Sequence, residues 1–266
     1  MSKLLIKPKL NSWIRHQISP ESAGWSHVGF SVYDLQEGKE IVGKGNSDEV
    51  CIVLLSGGVE FSADKHNFGK VTGRGNVFEK IGPYALYVPK NMAWRVKSNI
   101  ASEIAVCTAP GLRTHKPRVI SPSEMQREVR GVGTNQRFIC NILPETEEAD
   151  SLLVVEVITP SGNWSSYPPH KHDSDNLPFE SKLEETYYHR INPSQGYVLQ
   201  KVYNDDKSLD ETISAEDRDV VLVPEGYHPV GVPHGYESYY LNVMAGPKRV
   251  WKFQNDPKHE WIIKEA

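Results

Sequence analysis

The sequence predicts an all-β protein made of two similar barrels, and three observations carry that prediction. Short segments rich in Val, Ile and Tyr recur along the chain, each bounded by Gly, Pro, Asn or Asp, as strands separated by turns require. Helical periodicity is nearly absent, so sheets have to bury these segments. The two halves also repeat one order of features, which points to a duplicated unit.

Taken in order, strands are expected at 50–55, 85–88, 103–108, 152–158, 186–191, 197–203, 220–223 and 239–244. One short helix is expected at 122–128, with Ser121 placed to cap its first turn. The first half reads DEVCIVLLSGGVEF, a Gly-rich stretch, then ALYVPKNMAWRV. The second reads LEETYYHRINPSQGYVLQ, an acidic turn, then DVVLVPEGYHPVGV. In both, an acidic residue precedes a strand that runs into a Gly turn, and a later strand closes on Val-Pro. The polar stretch PETEEAD, residues 144–150, interrupts both patterns. The boundary is expected there, dividing the chain into 1–145 and 146–266.

With 266 residues, 38% hydrophobic and 24% charged, the chain has the make-up of a folded globular protein. A net charge of −4 without a Lys/Arg cluster argues against nucleic acid as a partner. No apolar run is long enough to cross a bilayer, so no membrane partner is expected. The opening MSKLLIKPKLNSW has neither the long apolar stretch nor the cleavage site of a secretory signal. Cys51, Cys107 and Cys140 form no CxxC pair, and three thiols cannot all pair within one chain. Reduced core thiols in the cytoplasm are the expectation.

The chemistry concentrates around Pro168-Pro169-His170-Lys171-His172-Asp173. Residues two apart on a strand share a face, so His170 and His172 can aim both imidazoles at one point. A divalent ion needs more ligands than two. Glu185 heads the strand continuing Thr186-Tyr187-Tyr188-His189, and His228 follows Val223-Pro224-Glu225-Gly226-Tyr227. Three imidazoles and one carboxylate leave coordination positions open, as a catalytic metal site requires. Taken alone, His-x-His is more often a surface pair than a ligand pair; the added carboxylate and third His favour the metal. Alternation favours Glu185 over Glu184, because Glu185 shares a face with Tyr187 and His189. Glu180, in the SDNLPFESK loop, is a third candidate.

These residues resemble the cupin pattern: His170, His172, Glu185 and Gly196 as a first motif, then Pro224, Gly226 and His228 as a second. Two spacings depart from it. DSDNLPFESKLE forms an insertion between His172 and Glu185, and the Gly226–His228 interval is one residue short. More finely, the chain resembles the family of 5-deoxy-glucuronate isomerases, bicupins of bacterial myo-inositol catabolism. PPHKHDSDNLPFESKLEETYYHRINPSQGYVLQ and VVLVPEGYHPVGVPHGYESYYLNVMAGPKRVW carry this, supported by REVRGVGTNQRFICNIL. The resemblance is dense over 127–261 and looser before it. It implies two tandem cupin barrels, each a double-stranded β-helix or jelly roll. In the N-terminal half, where a second His-x-His would precede Glu49, the sequence reads GKGNSDEV with no histidine, and Trp94 follows Val88-Pro89 where a His would fall. One metal site per chain is expected, with the N-terminal barrel structural or dimerising; a homo-oligomer is compatible with that role.

The resemblance implies an aldose–ketose exchange between 5-deoxy-D-glucuronate and 5-dehydro-2-deoxy-D-gluconate, making a small deoxy sugar acid the partner. A divalent ion chelating both reacting oxygens stabilises their developing charge. No redox change is involved, so Zn(II) or Mn(II) serves and iron is not demanded. Proton transfer needs a base; the candidates are Tyr187 and His189 on the inner face, with Glu180 or Lys182 from the loop. For the substrate carboxylate, a planar guanidinium fork is wanted. Arg130, Arg137 and Arg190 are near the site elements, and Arg137 is favoured because it begins an apolar strand. Tyr240 and Asn242 share a strand face and point to a polar lumen. Three other readings stand beside this one: a 4-deoxy-L-threo-5-hexosulose-uronate ketol-isomerase, a metal-dependent cupin oxygenase, and a non-enzymatic sugar-binding bicupin.

Overall fold

The computed structural model describes residues 2–112 and 115–264. Every expected strand is present, with ends shifted by a residue or two, the usual uncertainty of strand boundaries. Among the described residues the only α-helices are Pro20–Ala23 and Trp261–Lys264. The helix expected at 122–128 does not form. Ser121 N–H donates to the Glu124 carboxylate at 2.8 Å and Glu124 N–H returns to Ser121 O at 3.1 Å, which closes a single turn. The chain then extends as Gln126–Arg130 at the edge of a sheet, where ladder pairing outweighs a weak local helix preference.

The chain divides into two compact units, Lys9–Gln126 with Asn141–Val154, and Met1–Pro8 with Arg127–Cys140 and Val155–Ala266. The single boundary expected at 145 is therefore corrected to an interleaved one. Leu5–Ile6 pairs with Val221 and Val220, which draws the first residues into the C-terminal unit. Residues 150–152 are held in the N-terminal unit by Glu49, whose carboxylate accepts their three backbone N–H groups at 2.7, 2.6 and 2.6 Å.

In the N-terminal unit, one sheet runs Arg118–Ile120, Tyr84–Val88, Asp48–Ser56, Ser102–Pro110, Gly29–Leu35, Ile14–Ile18. The other runs Glu40–Gly43, Trp94–Ser98, Gly58–Ala63, His66–Thr72. Alternate residues of both sheets meet in one aliphatic core that includes Val50, Ile52, Leu54, Val59, Phe61, Leu86, Val88, Val96, Ile104 and Val106, with Trp94 packed against it. Cys51 and Cys107 here, and Cys140 in the other unit, are buried and not disulfide-bonded.

In the C-terminal unit the main sheet runs Leu5–Ile6, Val220–Val223, Glu184–Asn192, Glu237–Ala245, Leu153–Thr159, Arg137–Leu143, Gln126–Arg130. A second sheet runs Trp164–Ser165, Val230–Gly231, Tyr197–Tyr203, Asp210–Glu216. The insertion after His172 folds into a hairpin of Asp173–Asn176 with Glu180–Lys182. A last short pair joins His170–Lys171 to Gln254–Asn255.

The duplication is legible in register. Val50 sits opposite Val88 and Glu185 opposite Val223, each valine preceding a proline. Ile52 faces Val106 where Tyr187 faces Asn242, and Leu54 faces Ile104 where His189 faces Tyr240. Glu185, Tyr187, His189, Asn242 and Tyr240 thus have the aliphatic counterparts Val50, Ile52, Leu54, Val106 and Ile104 in the N-terminal unit. The residue matching Glu185 is Val50, not Glu49; Glu49 occupies the position of Glu184.

Candidate active site

Strand alternation places Glu185, Tyr187 and His189 on one face of Glu184–Asn192, opposite Met244, Asn242 and Tyr240. All but Met244 are buried polar groups lining one lumen, whose desolvation has to be offset by hydrogen bonds or a bound ligand. Glu184 is on the other face and only half-buried. His228 enters from a turn at Gly226, where φ is +87° and a Cβ would lie 2.4 Å from Tyr203 O. Only glycine fits that turn.

Three donor groups converge. His172 Nε2 lies 3.1 Å and His228 Nε2 3.2 Å from Glu185 Oε2, and the donor atoms all lie within 4.8 Å of one another. Their outer partners orient them. His172 Nδ1–H donates to Leu183 O at 3.2 Å and His228 Nδ1–H to Gly226 O at 2.8 Å, which turns both Nε2 lone pairs inward. Asn242 Nδ2 donates to Glu185 Oε1 at 2.7 Å, leaving Oε2 for the centre. His228 Nε2 is buried and makes no hydrogen bond. An orphaned imidazole nitrogen aimed at a carboxylate fits a divalent cation, and the N/O donor set suits Zn(II) or Mn(II).

His170 stands beside this triad rather than within it. Its ring is edge-on to His228 at 4.9 Å between centroids, 6.3 Å from His172 and 4.6 Å from Phe253. Burial pushes Glu185 up, but the neighbouring His228 and His172 outweigh it and hold its carboxyl down at about 2. Burial, then the charges of His228 and His172, hold His170 well below the usual imidazole range. An ionised carboxylate is the state a metal needs; burial pushes His172 down, but its hydrogen bond to Glu185 and that carboxylate's charge outweigh burial and raise it.

A recess opens beside Glu185, with about 390 Å³ of non-atom space in it when the open solvent at its mouth is included. Its lining includes Glu185, Tyr187, Asn242 and Tyr240 from two adjacent strands of the main sheet, Arg137 and Arg130 from the two strands at its far edge, His170 and Ser166, and Ile139, Val155, Val157 and Trp251. Arg137 is 8% exposed, and its Nη1 donates to Asn135 O and Oδ1 at 3.0 and 3.1 Å rather than to a carboxylate. Burial lowers its pKa. Arg130 donates to Glu128 at 2.6 Å. Arg190 pairs instead with Asp217 at 2.9 Å.

The four proposed bases separate here. Only Tyr187 lines the recess. His189 lies behind it, rings 6.0 Å apart, with Nε2–H donating to Gln200 Oε1 at 2.8 Å; burial lowers its pKa to about 4. Glu180 is buried in the insertion hairpin, accepting the N–H groups of Asp173 and Ser174 at 2.7 and 3.0 Å. Lys182 is exposed. Neither Glu180 nor Lys182 lines the recess, because the insertion folds on itself. Sequence reasoning missed Ser166, whose Oγ lies 3.0 Å from Tyr187 OH and 3.4 Å from Tyr240 OH. Its φ of +50° follows from tertiary packing and leaves no pattern in the sequence. Trp251 could have been found in PKRVWKF, an aromatic-basic stretch following the strand Glu237–Ala245.

Two antiparallel barrels, one with an aliphatic lumen and one with a buried imidazole–carboxylate cluster, define an enzyme of the bicupin class. A Lactobacillus farciminis oxalate decarboxylase shares the fold at 11% identity, with a TM-score of 0.67 over 100% of this chain and 91% of that one. An IolB-like protein from Salmonella typhimurium superposes with a TM-score of 0.97 at 47% identity, covering 98% of this chain and 100% of that one. A 5-deoxy-glucuronate isomerase of Geobacillus kaustophilus is 55% identical over 247 residues, 93% of this chain and 90% of that protein. One from Listeria monocytogenes is 49% identical over 271 aligned residues, 99% of each. The pattern of the KduI/IolB family matches residues 4–262. The chain belongs to the KduI/IolB family, and it is an isomerase.

Proposed function

We propose that this isomerase is metal-dependent and interconverts 5-deoxy-D-glucuronate and 5-dehydro-2-deoxy-D-gluconate, in cytoplasmic myo-inositol breakdown. The observation that carries the reading is one recess lined both by Glu185 of the buried His172–Glu185–His228 cluster and by the Arg137 guanidinium. A substrate with vicinal carbonyl and hydroxyl oxygens at one terminus and a carboxylate at the other matches that pair of groups. His172, Glu185 and His228 would hold the ion, with His170 completing the set. Bound there, a divalent cation supplies Lewis acidity to the reacting carbonyl and its neighbouring hydroxyl.

The chain's own residues do the rest. Arg137 receives the substrate carboxylate as a fork donor. Asn242 keeps Glu185 oriented through its hydrogen bond. Tyr187, linked through Ser166 to Tyr240, offers its hydroxyl to the substrate where the proton moves between adjacent carbons. The partners of the protein are then a small deoxy sugar acid and copies of itself, not nucleic acid or membrane. Among the described residues no helix is long and apolar enough to cross a membrane.

Following the aldehyde proton by NMR tests this. Metal-replete protein is expected to consume 5-deoxy-glucuronate, EDTA to stop it, and Zn(II) or Mn(II) to restore it. Persistence of the aldehyde with metal-replete protein overturns the assignment. A parallel arm with 4-deoxy-L-threo-5-hexosulose uronate separates the two deoxy uronates, and anaerobic turnover rules out an oxygenase.

A further inference from the structure

We infer that Ile139, Val155 and Val157 form a specificity strip that accepts a methylene and rejects a hydroxyl at the carbon next to the substrate carboxylate. The inference rests on the isomerase reading above and extends it to what the enzyme refuses.

Consecutive strands of the main sheet lay out the recess. Glu184–Asn192 and Glu237–Ala245 contribute polar side chains; the next two strands, Leu153–Thr159 and Arg137–Leu143, contribute Val155, Val157 and Ile139. Arg137 lies two residues from Ile139 on the same strand, so both project to one face, and both line the recess. The guanidinium is therefore approached across an aliphatic surface. Val155, Val157 and Ile139 are 2, 6 and 6% exposed, so the little surface they present to the recess is aliphatic and poorly hydrated. Leu153–Thr159 has strand neighbours on both sides, which commits its backbone N–H and C=O groups to the ladder.

In 5-deoxy-glucuronate the methylene is bonded directly to the carboxylate carbon, about 1.5 Å away. With the carboxylate on Arg137, that carbon lies in the recess that Ile139, Val155 and Val157 line with it. A methylene packs there without loss. A hydroxyl at the same carbon, as in D-glucuronate, would exchange water for the methyl groups of the strip. An aliphatic surface rejects an added hydroxyl by on the order of 100-fold.

The test measures kcat/KM for 5-deoxy-D-glucuronate and D-glucuronate, with calorimetric Kd for each acid on metal-replete protein. Wild type is expected to prefer the deoxy acid roughly 100-fold. Val157→Thr and Val155→Thr, nearly isosteric but able to hydrogen-bond, should each narrow the preference by about tenfold or more. Val157→Ala and Val155→Ala, which stay apolar, should not narrow it. Wild-type preference within about threefold in both readouts overturns the strip, as do folded Thr variants, checked by thermal melting, that keep the wild-type ratio. Tighter binding of the deoxy acid without turnover of either acid sinks the isomerase reading and leaves the strip standing. Failure to bind either acid overturns both.

Discussion

Asn242 shows how one residue can govern a site it does not enter. Its amide leaves Glu185 a single free oxygen facing the imidazoles. Asn242→Ala removes that constraint while keeping the ligands, and metal affinity should fall by roughly 10- to 100-fold in a competition titration with a chelator. Unchanged affinity would show that packing alone orients Glu185. His189 carries a second prediction. Its folded pKa is lowered to about 4 by burial, against about 6.5 unfolded. Between those values the unfolded chain binds a proton that the folded chain refuses, so stability falls as pH drops from 6.5 to 4 and levels off below. The contribution of this one group is up to roughly 3 kcal/mol. In His189→Gln the decline in denaturant midpoint across that window should be visibly shallower; an unaltered slope would mean His189 takes up its proton while folded.

At the scale of elements, the retained Glu49 has a purely structural occupation. Its two oxygens accept three backbone N–H groups from 150–152 and the Tyr87 hydroxyl at 2.7 Å, all buried. Glu49→Ala strands four donors away from water. A loss of several kcal/mol is expected, since each buried donor left unmet costs about 1–3 kcal/mol before relaxation. Urea unfolding reads that loss, and metal content per folded chain should stay at the wild-type value. The insertion hairpin is a comparable case. Glu180 was a candidate base by position, yet its carboxylate closes the hairpin that follows His172. A chemically able residue is spent on holding a loop.

For the molecule as a whole, the metal cluster should be an addition to a fold that stands without it. The N-terminal unit has a continuous aliphatic core of its own. The main sheet of the C-terminal unit is paired along Glu184–Asn192 on both sides. Stripping divalent ions with EDTA should therefore preserve the β-type circular dichroism and a cooperative melt. Adding Zn(II) or Mn(II) back should raise the melting temperature with log concentration, as binding to the native state alone requires. Loss of the β signal on chelation would show the ion to be part of the fold. His172→Ala should abolish the metal-dependent rise and leave the metal-free melt close to wild type.

Composition and alternation sufficed to establish the all-β class, the strands around Glu185 and Tyr240, and the inward face shared by Glu185, Tyr187 and His189, while the resemblance to the cupin pattern implied an N-terminal barrel without metal ligands. The first three follow from patterns with a period of two, which neighbours along the chain impose on one another. Other features depended on contacts between distant segments. Residues 5–6 joined the C-terminal sheet, and Glu49 captured 150–152 across about a hundred positions. Ser166 was set between two tyrosines by a left-handed backbone, Glu180 was withdrawn from the recess, and Val155, Val157 and Ile139 were brought beside Arg137. Local spacing carries which face a side chain takes; only the closed sheet decides which distant side chains share that face.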